Sequence, residues 1–458
     1  MGRWRKLAVN TALLTGSSLV MHCIALSYQV WLVGKIGSAG IGLFQLIVSI
    51  NVLCVTFAVS GVKFTTTRLV SEEIGAGNER GVGSAMSRCI GYAVIFGCLS
   101  CLALFLAAEP IGFLWIGDAR CVLSLKIIAF GLPFIALSSV LNGYFVATGR
   151  VYKAAVIQVI EQLCNIGFVV FLLSRAADGE LEQSCSAIAL GGVGSDIVSF
   201  LLVLVVYLSD RKKHASKSGA RGKITGRMLK IAVPLALSAY ARTSLTTLEN
   251  LLVPRSLKAS GLGADQSLSG YGTITGMVFP IISFPSCFLS ALSELMVPDL
   301  TAAQVCGDKD YIGRTVSALL RASFFFSLVT AAFLFATAEA LGAFIYKDPG
   351  IGYYIKIFAL LAPIMYMDIV TDGCLKGLGQ MMHSMTFNIT EATIGVILVV
   401  TLIPVFGLRG YIFVLFICEL YNFTMSIARL RKVTKIEIFP RRRRGAQKCA
   451  PCQNECHD

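Results

Sequence analysis

Apolar residues in this chain fall into long continuous blocks and do not alternate with polar residues. A membrane-spanning helix needs about 20 mostly apolar residues, because its backbone groups must be paired within the segment. The strands of an outer-membrane barrel would instead alternate over about 10 residues. We therefore predict an all-α integral membrane protein with twelve transmembrane helices, at residues 7–34, 40–62, 88–108, 122–147, 154–173, 186–208, 229–253, 269–297, 317–341, 351–375, 384–406 and 409–429.

Composition narrows the class further. Of 458 residues, 55% are hydrophobic and only 14% are charged, whereas a soluble domain carries about 25% charged residues. These values exclude a soluble enzyme, a disordered chain and a secreted disulfide scaffold. Arg3, Arg5 and Lys6 precede an apolar run that is too long for a cleaved signal, so this run is predicted to be the first span.

The positive charges are distributed unequally between the two predicted membrane faces. Of the 40 Lys and Arg residues, 29 fall on the side that holds both termini and nine on the other. Basic residues accumulate on the cytoplasmic side, so both termini are predicted to be cytoplasmic. The basic runs at 211–213 and 441–444 are predicted to contact anionic lipid headgroups. An RNA-binding tail is the alternative, but we predict no nucleic-acid partner.

Most of the 15 cysteines lie inside the predicted spans, as small apolar residues do. Cys449, Cys452, Cys456 and His457 form a separate cluster in the tail, with a spacing that can hold zinc. The alternative is a charged tail without a special function. We favour that alternative and predict neither a metal nor a cofactor.

The chain repeats itself at a distance of 230 residues, without gaps from about residue 40 to 170. The matches fall on Gly, Pro and charged residues, including the pairs Gly40/Gly270, Gly42/Gly272, Glu109/Glu339, Asp118/Asp348, Lys126/Lys356, Pro133/Pro363 and Glu161/Glu391. Six spans per half is an even number, so the two halves are predicted to be parallel lobes around a central cavity, an architecture typical of transporters. The predicted boundaries are 1–208 for the first lobe, 209–226 for a basic linker, 227–430 for the second lobe and 431–458 for the tail.

Prolines predict kinks within several spans. Pro133 and Pro363 are expected to kink the fourth and tenth spans at matching depths, and Pro280 and Pro285 the eighth.

Charged residues within the seventh span are the first candidates for a binding site, because charges at bilayer depth are costly. Arg242 and Glu249 are seven residues apart and therefore lie on one helical stripe. They either form a structural ion pair through an intermediate residue or line the cavity, and we favour the cavity. Arg242 would then bind an anionic headgroup, because a guanidinium matches phosphate oxygens. Arg255, near the end of this span, is a further candidate contact.

Two other spans carry candidate contacts for the substrate. His22 and Gln29 share a polar stripe of the first span and either pack between helices or line the cavity, where His22 could change charge near neutral pH. Lys63 and Arg68 follow the second span. They either extend to the headgroups or receive a phosphate from the cytoplasmic side.

Three glutamates are candidates for coupling or for a structural role. Glu161 and Glu391 occupy the middle of the repeat-related fifth and eleventh spans, where they either bond a neighbouring helix or bind a proton or cation. Glu294 in the eighth span is either cavity lining or a charge at the inner rim. No catalytic set accompanies them: the sequence has no H-E-x-x-H, no G-x-S-x-G and no Walker lysine, so we predict that the protein is not an enzyme.

Several apolar runs resemble a known group of transporters. The runs at 124–139, 142–145, 158–162, 40–46 and 251–255 are similar to spans of the stage V sporulation protein B branch, which belongs to the multidrug/oligosaccharidyl-lipid/polysaccharide (MOP) exporter superfamily. The resemblance covers most of residues 1–430. It implies twelve to fourteen helices in two lobes and, in many members, flipping of lipid-linked glycans.

The chain departs from this pattern at two positions. Asn165 stands where the branch often has an arginine four residues after the glutamate of the fifth span. Ser18 and His22 occupy the stretch of the first span where the similar lipid II flippases carry arginines.

The resemblance implies a flippase in the bacterial cytoplasmic membrane. We expect it to translocate an undecaprenyl-pyrophosphate-linked oligosaccharide, such as a peptidoglycan precursor for the spore cortex, and to work as a monomer among membrane lipids. A cation-coupled multidrug exporter of the same superfamily and an integral-membrane glycosyltransferase or ligase are the alternatives. The last would need large outer loops carrying acidic residues, and the predicted outer loops are short.

Overall fold

A computed structural model describes residues 2–175, 181–211 and 224–434 of the chain. Short runs of π-helix at Ile111–Ile116 and Thr273–Val278 and a 3₁₀ turn at Ala119–Cys121 connect some of the α-helices. The α-helices are α1 Gly2–Val59, α2 Val62–Gly75, α3 Glu79–Pro110, α4 Val122–Ala129, α5 Leu132–Ala147, α6 Val151–Leu173, α7 Leu181–Arg211, α8 Ile224–Ala259, α9 Ala264–Gly272, α10 Phe279–Ser283, α11 Ser286–Val305, α12 Lys309–Tyr346, α13 Gly350–Gly377, α14 Met381–Phe406 and α15 Leu408–Thr434.

The chain is a multi-pass membrane protein with twelve transmembrane helices in two parallel lobes of six. By length and apolar composition alone, eight helices of the described ranges could cross a membrane, or ten if each of two bent pairs is one span. This criterion leaves two of the twelve transmembrane helices uncounted. The first is missed because the long segment Val20–Gly75 is counted once, although Gly37 divides it between the first and second predicted spans. The second is α8, whose polar stripe lowers its mean hydropathy.

Backbone breaks occur where glycine permits them. Gly37 has φ 70° and divides α1 into two helical segments. Gly61 has φ 70° and separates α1 from α2, and the adjacent Ser60 has φ 46°, which is rare for a residue with a side chain. Ser60 bonds the hydroxyl groups of Tyr92 and Tyr240. These bonds fix a strained backbone where α1 ends and α2 begins.

Proline bends two spans, but not symmetrically. The chain bends by 44° between α4 and α5, just before Pro133, and by 60° between α10 and α11, at Pro285. Pro363 instead lies inside the continuous helix α13, so the kink expected in the tenth span stays a prediction.

The repeat has a direct structural counterpart. Gly77 and Gly307, at φ 67° and 72°, form matching turns after the second and eighth spans, and Gly149 and Gly379, at 69° and 65°, do so after the fourth and tenth. We call the side of the membrane on which these turns lie the basic face, and the other side the opposite face. Each lobe packs around buried apolar side chains, with Phe145 fully buried in the first lobe and Phe358 in the second.

Some sequence predictions fall outside the described residues. These are most of the basic linker, at 212–223, and the tail from 435 onward with its cysteine cluster. The predicted lobe and linker boundaries stay predictions.

Candidate functional site: the seventh span between the two lobes

The seventh span, α8, lies between the two lobes. It packs against α14 of its own lobe and against α1 and α2 of the first lobe. Thr247 donates a hydrogen bond to the carbonyl oxygen of Ser49 at 3.2 Å, and Asn250 donates to the Ser49 hydroxyl at 3.1 Å. Nearer the basic face, Arg227 donates to Glu73 at 2.6 Å. A polar stripe along α8 is therefore positioned beside both lobes.

Arg242 lies in the middle of α8 and is exposed. Its charge interacts with that of Glu391 on α14. Thr246, one turn further along the helix, donates its hydroxyl proton to the carbonyl oxygen of Arg242 at 3.1 Å. The guanidinium thus faces carboxylates of the second lobe and remains accessible.

Acidic residues cluster in the interior of the second lobe. The carboxylate of Glu391 interacts electrostatically with those of Asp368 on α13 and Glu249 on α8. Glu419 on α15 interacts with both Asp368 and Glu391. Glu249 packs against Gly395, where a Cβ atom would lie 2.5 Å from the Glu249 carboxylate, so a larger residue at this position would require the carboxylate to shift.

Hydrogen bonding within this cluster is incomplete. Asn422 donates to Asp368 Oδ2 at 3.4 Å and to Asn388 at 3.1 Å. Asp368 Oδ1 has no hydrogen-bond partner among the described residues. A buried carboxylate oxygen without a donor is costly unless it is protonated or binds a cation.

The first lobe holds a separate polar cavity of about 320 Å³. Glu161 and Asp196 line it together with Lys63, and Ser199 donates a hydrogen bond to Glu161 at 2.5 Å. Two carboxylates and one ammonium therefore share a small space within one lobe. Lys63 therefore lines a cavity of the first lobe.

The other predicted site residues are dispersed. Arg68 pairs with Glu72 at 3.0 Å and is more than half exposed. Gln29 donates to the carbonyl oxygen of Gly276 at 3.0 Å and so joins the two lobes. His22, Arg255 and Glu294 are exposed. The structure thus brings together Arg242, Glu249 and Glu391 in one region and Lys63 and Glu161 in another.

Sequence reasoning missed three acidic residues of these regions. Asp196, Asp368 and Glu419 lie in the sixth, tenth and twelfth spans. The rule that picks out Arg242 and Glu249, an ionisable residue at bilayer depth, applies equally to them. Within the described ranges, no group of three or more His, Cys, Asp or Glu residues is placed to hold a metal ion.

Several known proteins are similar to this chain. The MatE family model matches residues 17–171. Stage V sporulation protein B of Bacillus subtilis (strain 168) is 23% identical over 411 residues, which cover 88% of this chain and 79% of that protein. Multidrug export protein MepA of Staphylococcus haemolyticus is 23% identical over 299 residues, covering 64% of this chain and 63% of its own length.

The fold has a close counterpart among solved structures. A multidrug resistance MATE transporter of the MOP superfamily, in its inward-facing conformation, superimposes with a TM-score of 0.67. The match covers 93% of this chain and 99% of that one at 14% identity. The predicted fold class is confirmed.

Proposed function

We propose that the chain is a transporter of the MOP superfamily, and that it flips an oligosaccharide linked to undecaprenyl pyrophosphate, such as a peptidoglycan precursor, by alternating access. The similarity to stage V sporulation protein B over 88% of the chain supports this choice of cargo. We place the protein in the bacterial cytoplasmic membrane, with the basic face toward the cytoplasm.

The observation that carries the proposal is the position of Arg242. It is an exposed cation at mid-membrane depth, on the helix that contacts both lobes. A pyrophosphate is a doubly anionic group that needs such a partner to leave the headgroup region, and a guanidinium can donate two parallel hydrogen bonds to it. Arg255 and Arg68, near the two ends of the path, are way-stations in this scheme.

The acidic residues of the two lobe interiors are proposed to couple transport to an ion gradient or to the membrane potential. Glu391 lies within the electrostatic reach of Arg242, so a proton or cation bound to its cluster changes the field at the cargo site. Asp368, with its unpaired oxygen, is the most suitable acceptor in the described part of this cluster. Glu161 has the equivalent position in the first lobe.

A multidrug exporter is the second candidate function. The match to the MatE family model and the similarity to the multidrug export protein MepA favour it. The carboxylates around Glu391 would suit a cationic drug. MOP-superfamily proteins are transporters and not enzymes, so the glycosyltransferase or ligase alternative has no support.

Transport in proteoliposomes tests the proposal. We expect purified wild-type protein to move a fluorescent lipid-linked pyrophosphate oligosaccharide between leaflets, and the Arg242→Ala variant to move it at least about tenfold more slowly. A charge-assisted hydrogen bond contributes about 1.5–3 kcal/mol, and 1.4 kcal/mol corresponds to a factor of ten. Arg242→Lys keeps the charge and should retain part of the rate.

Arg314→Ala is the matched control, because Arg314 is an exposed arginine near the start of α12 whose guanidinium donates a hydrogen bond to the carbonyl oxygen of Asp310 on the same helix. Its rate should equal that of the wild type. If Arg242→Ala transports the lipid at the wild-type rate, the assigned role is wrong. Export of a cationic dye that survives Arg242→Ala, without any lipid movement by the wild type, would support the drug-exporter alternative.

A further inference from the structure

The two lobes meet at the opposite face through their backbones. An ideal Cβ atom on Gly42 of α1 would lie 2.1 Å from the carbonyl oxygen of Leu268 on α9. On Gly272 it would lie 2.3 Å from the carbonyl oxygen of Ser38 and 2.6 Å from the Gly42 nitrogen. Real Cβ contacts do not occur below 3.0 Å, and backbone atoms cannot rotate away. The helices can approach this closely only because both residues are glycine.

This contact is symmetric with respect to the internal repeat. Gly42 and Gly272 are 230 residues apart, and so are Ser38 and Leu268, whose carbonyl oxygens they face. Gly42 therefore faces the carbonyl of Leu268, Gly272 faces the carbonyl of Ser38, and these two carbonyl groups are equivalent in the repeat. The pseudo-twofold axis between the lobes passes through this crossing of α1 and α9.

Polar side chains reinforce the contact between the lobes. The hydroxyl groups of Ser38 and Ser269 are 2.7 Å apart. Further toward the outside, Arg120 pairs with Asp118 of its own lobe at 2.7 Å and with Asp265 of the other lobe at 2.9 Å. One arginine thus bridges carboxylates of both lobes.

Toward the basic face, the described helices that continue the second and eighth spans do not contact each other in this way. There, α2 continues the second span and α11 continues the eighth. Over the part of the chain that the structure describes, no hydrogen bond or ion pair joins α2 to α11. The lobes are therefore joined at the opposite face by a close backbone contact, whereas near the basic face Arg227 of α8 joins Glu73 of α2 through side chains and leaves α2 and α11 without a bond between their described residues.

We propose that Gly42 and Gly272 form the seal of a gate at the opposite face, with Arg120 and Asp265 as its latch. In the closed state the two backbones touch on the repeat axis. In the open state this crossing separates, and the exposed side chains of α8, such as Arg242, become accessible from the opposite face. A side chain on either glycine keeps the crossing apart and favours the open state. The inference rests on the chain being a transporter, but not on which cargo it carries.

A cysteine pair at the crossing reports closure. Ser38→Cys and Ser269→Cys place two thiols where the hydroxyl groups are 2.7 Å apart, and mass spectrometry of the oxidised protein identifies their disulfide among the native cysteines. We expect the disulfide to form readily in this parent, and its yield to fall at least about tenfold when Gly42→Ala or Gly272→Ala is added. Arg120→Ala should lower the yield less, because the backbone contact remains.

Gly34→Ala is the matched control, because Gly34 lies on the same helix and an added Cβ would meet no atom within 4 Å. Its disulfide yield should equal that of the parent. An undiminished yield in both Gly42→Ala and Gly272→Ala would overturn the proposal.

A second measurement separates gate opening from misfolding, because it is a gain of signal. Thr246 is an exposed residue of α8, one turn from Arg242. Thr246→Cys should react faster with a membrane-impermeant maleimide, added at the opposite face, when Gly42→Ala is present. A slower or equal reaction would contradict the gate. If lipid transport fails in the wild type while both gate measurements succeed, the cargo proposal is wrong and the gate proposal stands.

Discussion

The two lobes share the framework of their outer rims and differ in their interiors. At the rim of the first lobe, Lys126 donates to Glu109 at 2.7 Å, and at the rim of the second, Lys356 donates to Glu339 at 2.5 Å. These are the same pair displaced by 230 residues. The sequence repeat therefore describes real equivalence in space at this level.

The corners beside these rims already differ by one side chain. Asp118 accepts a hydrogen bond from the backbone N–H of Arg120 at 3.0 Å, and Asp348 accepts one from that of Gly350 at 2.8 Å. The turn is conserved between the lobes, because both carboxylates bond the N–H group two residues further on. Only the first lobe has an arginine there, and this arginine reaches Asp265 of the other lobe.

The interiors differ most. The first lobe has a cavity lined by Glu161 and Asp196 together with Lys63. The second lobe holds Glu249, Asp368, Glu391 and Glu419, with Arg242 as the cation that interacts with Glu391. Turns and rims are set by backbone geometry and stay equal in both lobes, whereas the interior chemistry has diverged. The two repeat-related glutamates should therefore not be functionally equivalent.

Replacing these two glutamates tests the difference and should have the largest effect. We expect Glu391→Gln to slow transport at least about tenfold, because it removes a charge that acts on Arg242. Glu161→Gln should have a smaller effect, since the amide oxygen can still accept the hydrogen bond from Ser199. Initial rates of transport in proteoliposomes measure both.

Melting temperatures of the two variants provide the control, because both substitutions preserve size and should leave the fold intact. Equal rates for Glu161→Gln and Glu391→Gln would show that the lobes are functionally symmetric and would contradict the comparison.

The sequence predicts the framework better than the interior. The twelve spans and the repeat follow from apolar blocks and glycines, because these residues reflect local backbone requirements. The contact of Gly42 with Gly272 does not follow, although the repeat pairs the same two residues, because a sequence match does not show that the equivalents touch. Asp196, Asp368 and Glu419 join the site only through helix packing, and a single sequence does not fix which helix faces meet.

Prolines show the same limitation. Pro133 and Pro363 are matched in the sequence, but only Pro133 follows an interruption of the helix, because α4 ends at Ala129 and α5 begins at Leu132, whereas α13 continues through Pro363. A matched proline therefore does not by itself predict that the helix is interrupted in both lobes.

Replacing Asp118, which lies at the corner beside the rim of the first lobe, should lower the melting temperature moderately and in a way that depends on pH. Burial opposes ionisation of Asp118, but hydrogen bonds from Arg120 and the charges of Arg120 and Lys258 outweigh it and lower the pKa of this carboxyl group. A lowered pKa means that the carboxylate stabilises the fold at pH values above its unfolded pKa of about 4, and that this contribution is lost as the pH falls further. Asp118→Asn should therefore lower the melting temperature at pH 7 and have less effect near pH 3.

Asp348→Asn is the repeat-related control for this prediction. Asp348 is exposed and its carboxylate accepts a hydrogen bond from the backbone N–H of Gly350 without an arginine beside it, so its replacement should lower the melting temperature less than Asp118→Asn does at pH 7. A larger loss for Asp348→Asn, or a loss for Asp118→Asn that grows toward pH 3, would show that the Arg120 bridge is not the cause.

The rim pairs should give the smallest effect, and the same one in both lobes. Glu109 and Glu339 are both mostly exposed, at 63% and 72% of their side-chain surface, and exposed ion pairs contribute little to stability. Glu109→Gln and Glu339→Gln should therefore each change the melting temperature by less than about 2 °C, as differential scanning fluorimetry can measure. The two pairs are matched in spacing and exposure. A clear loss of melting temperature in only one variant would therefore mean that the lobes already differ at their rims. The contrast between a shared framework and divergent interiors would then be wrong.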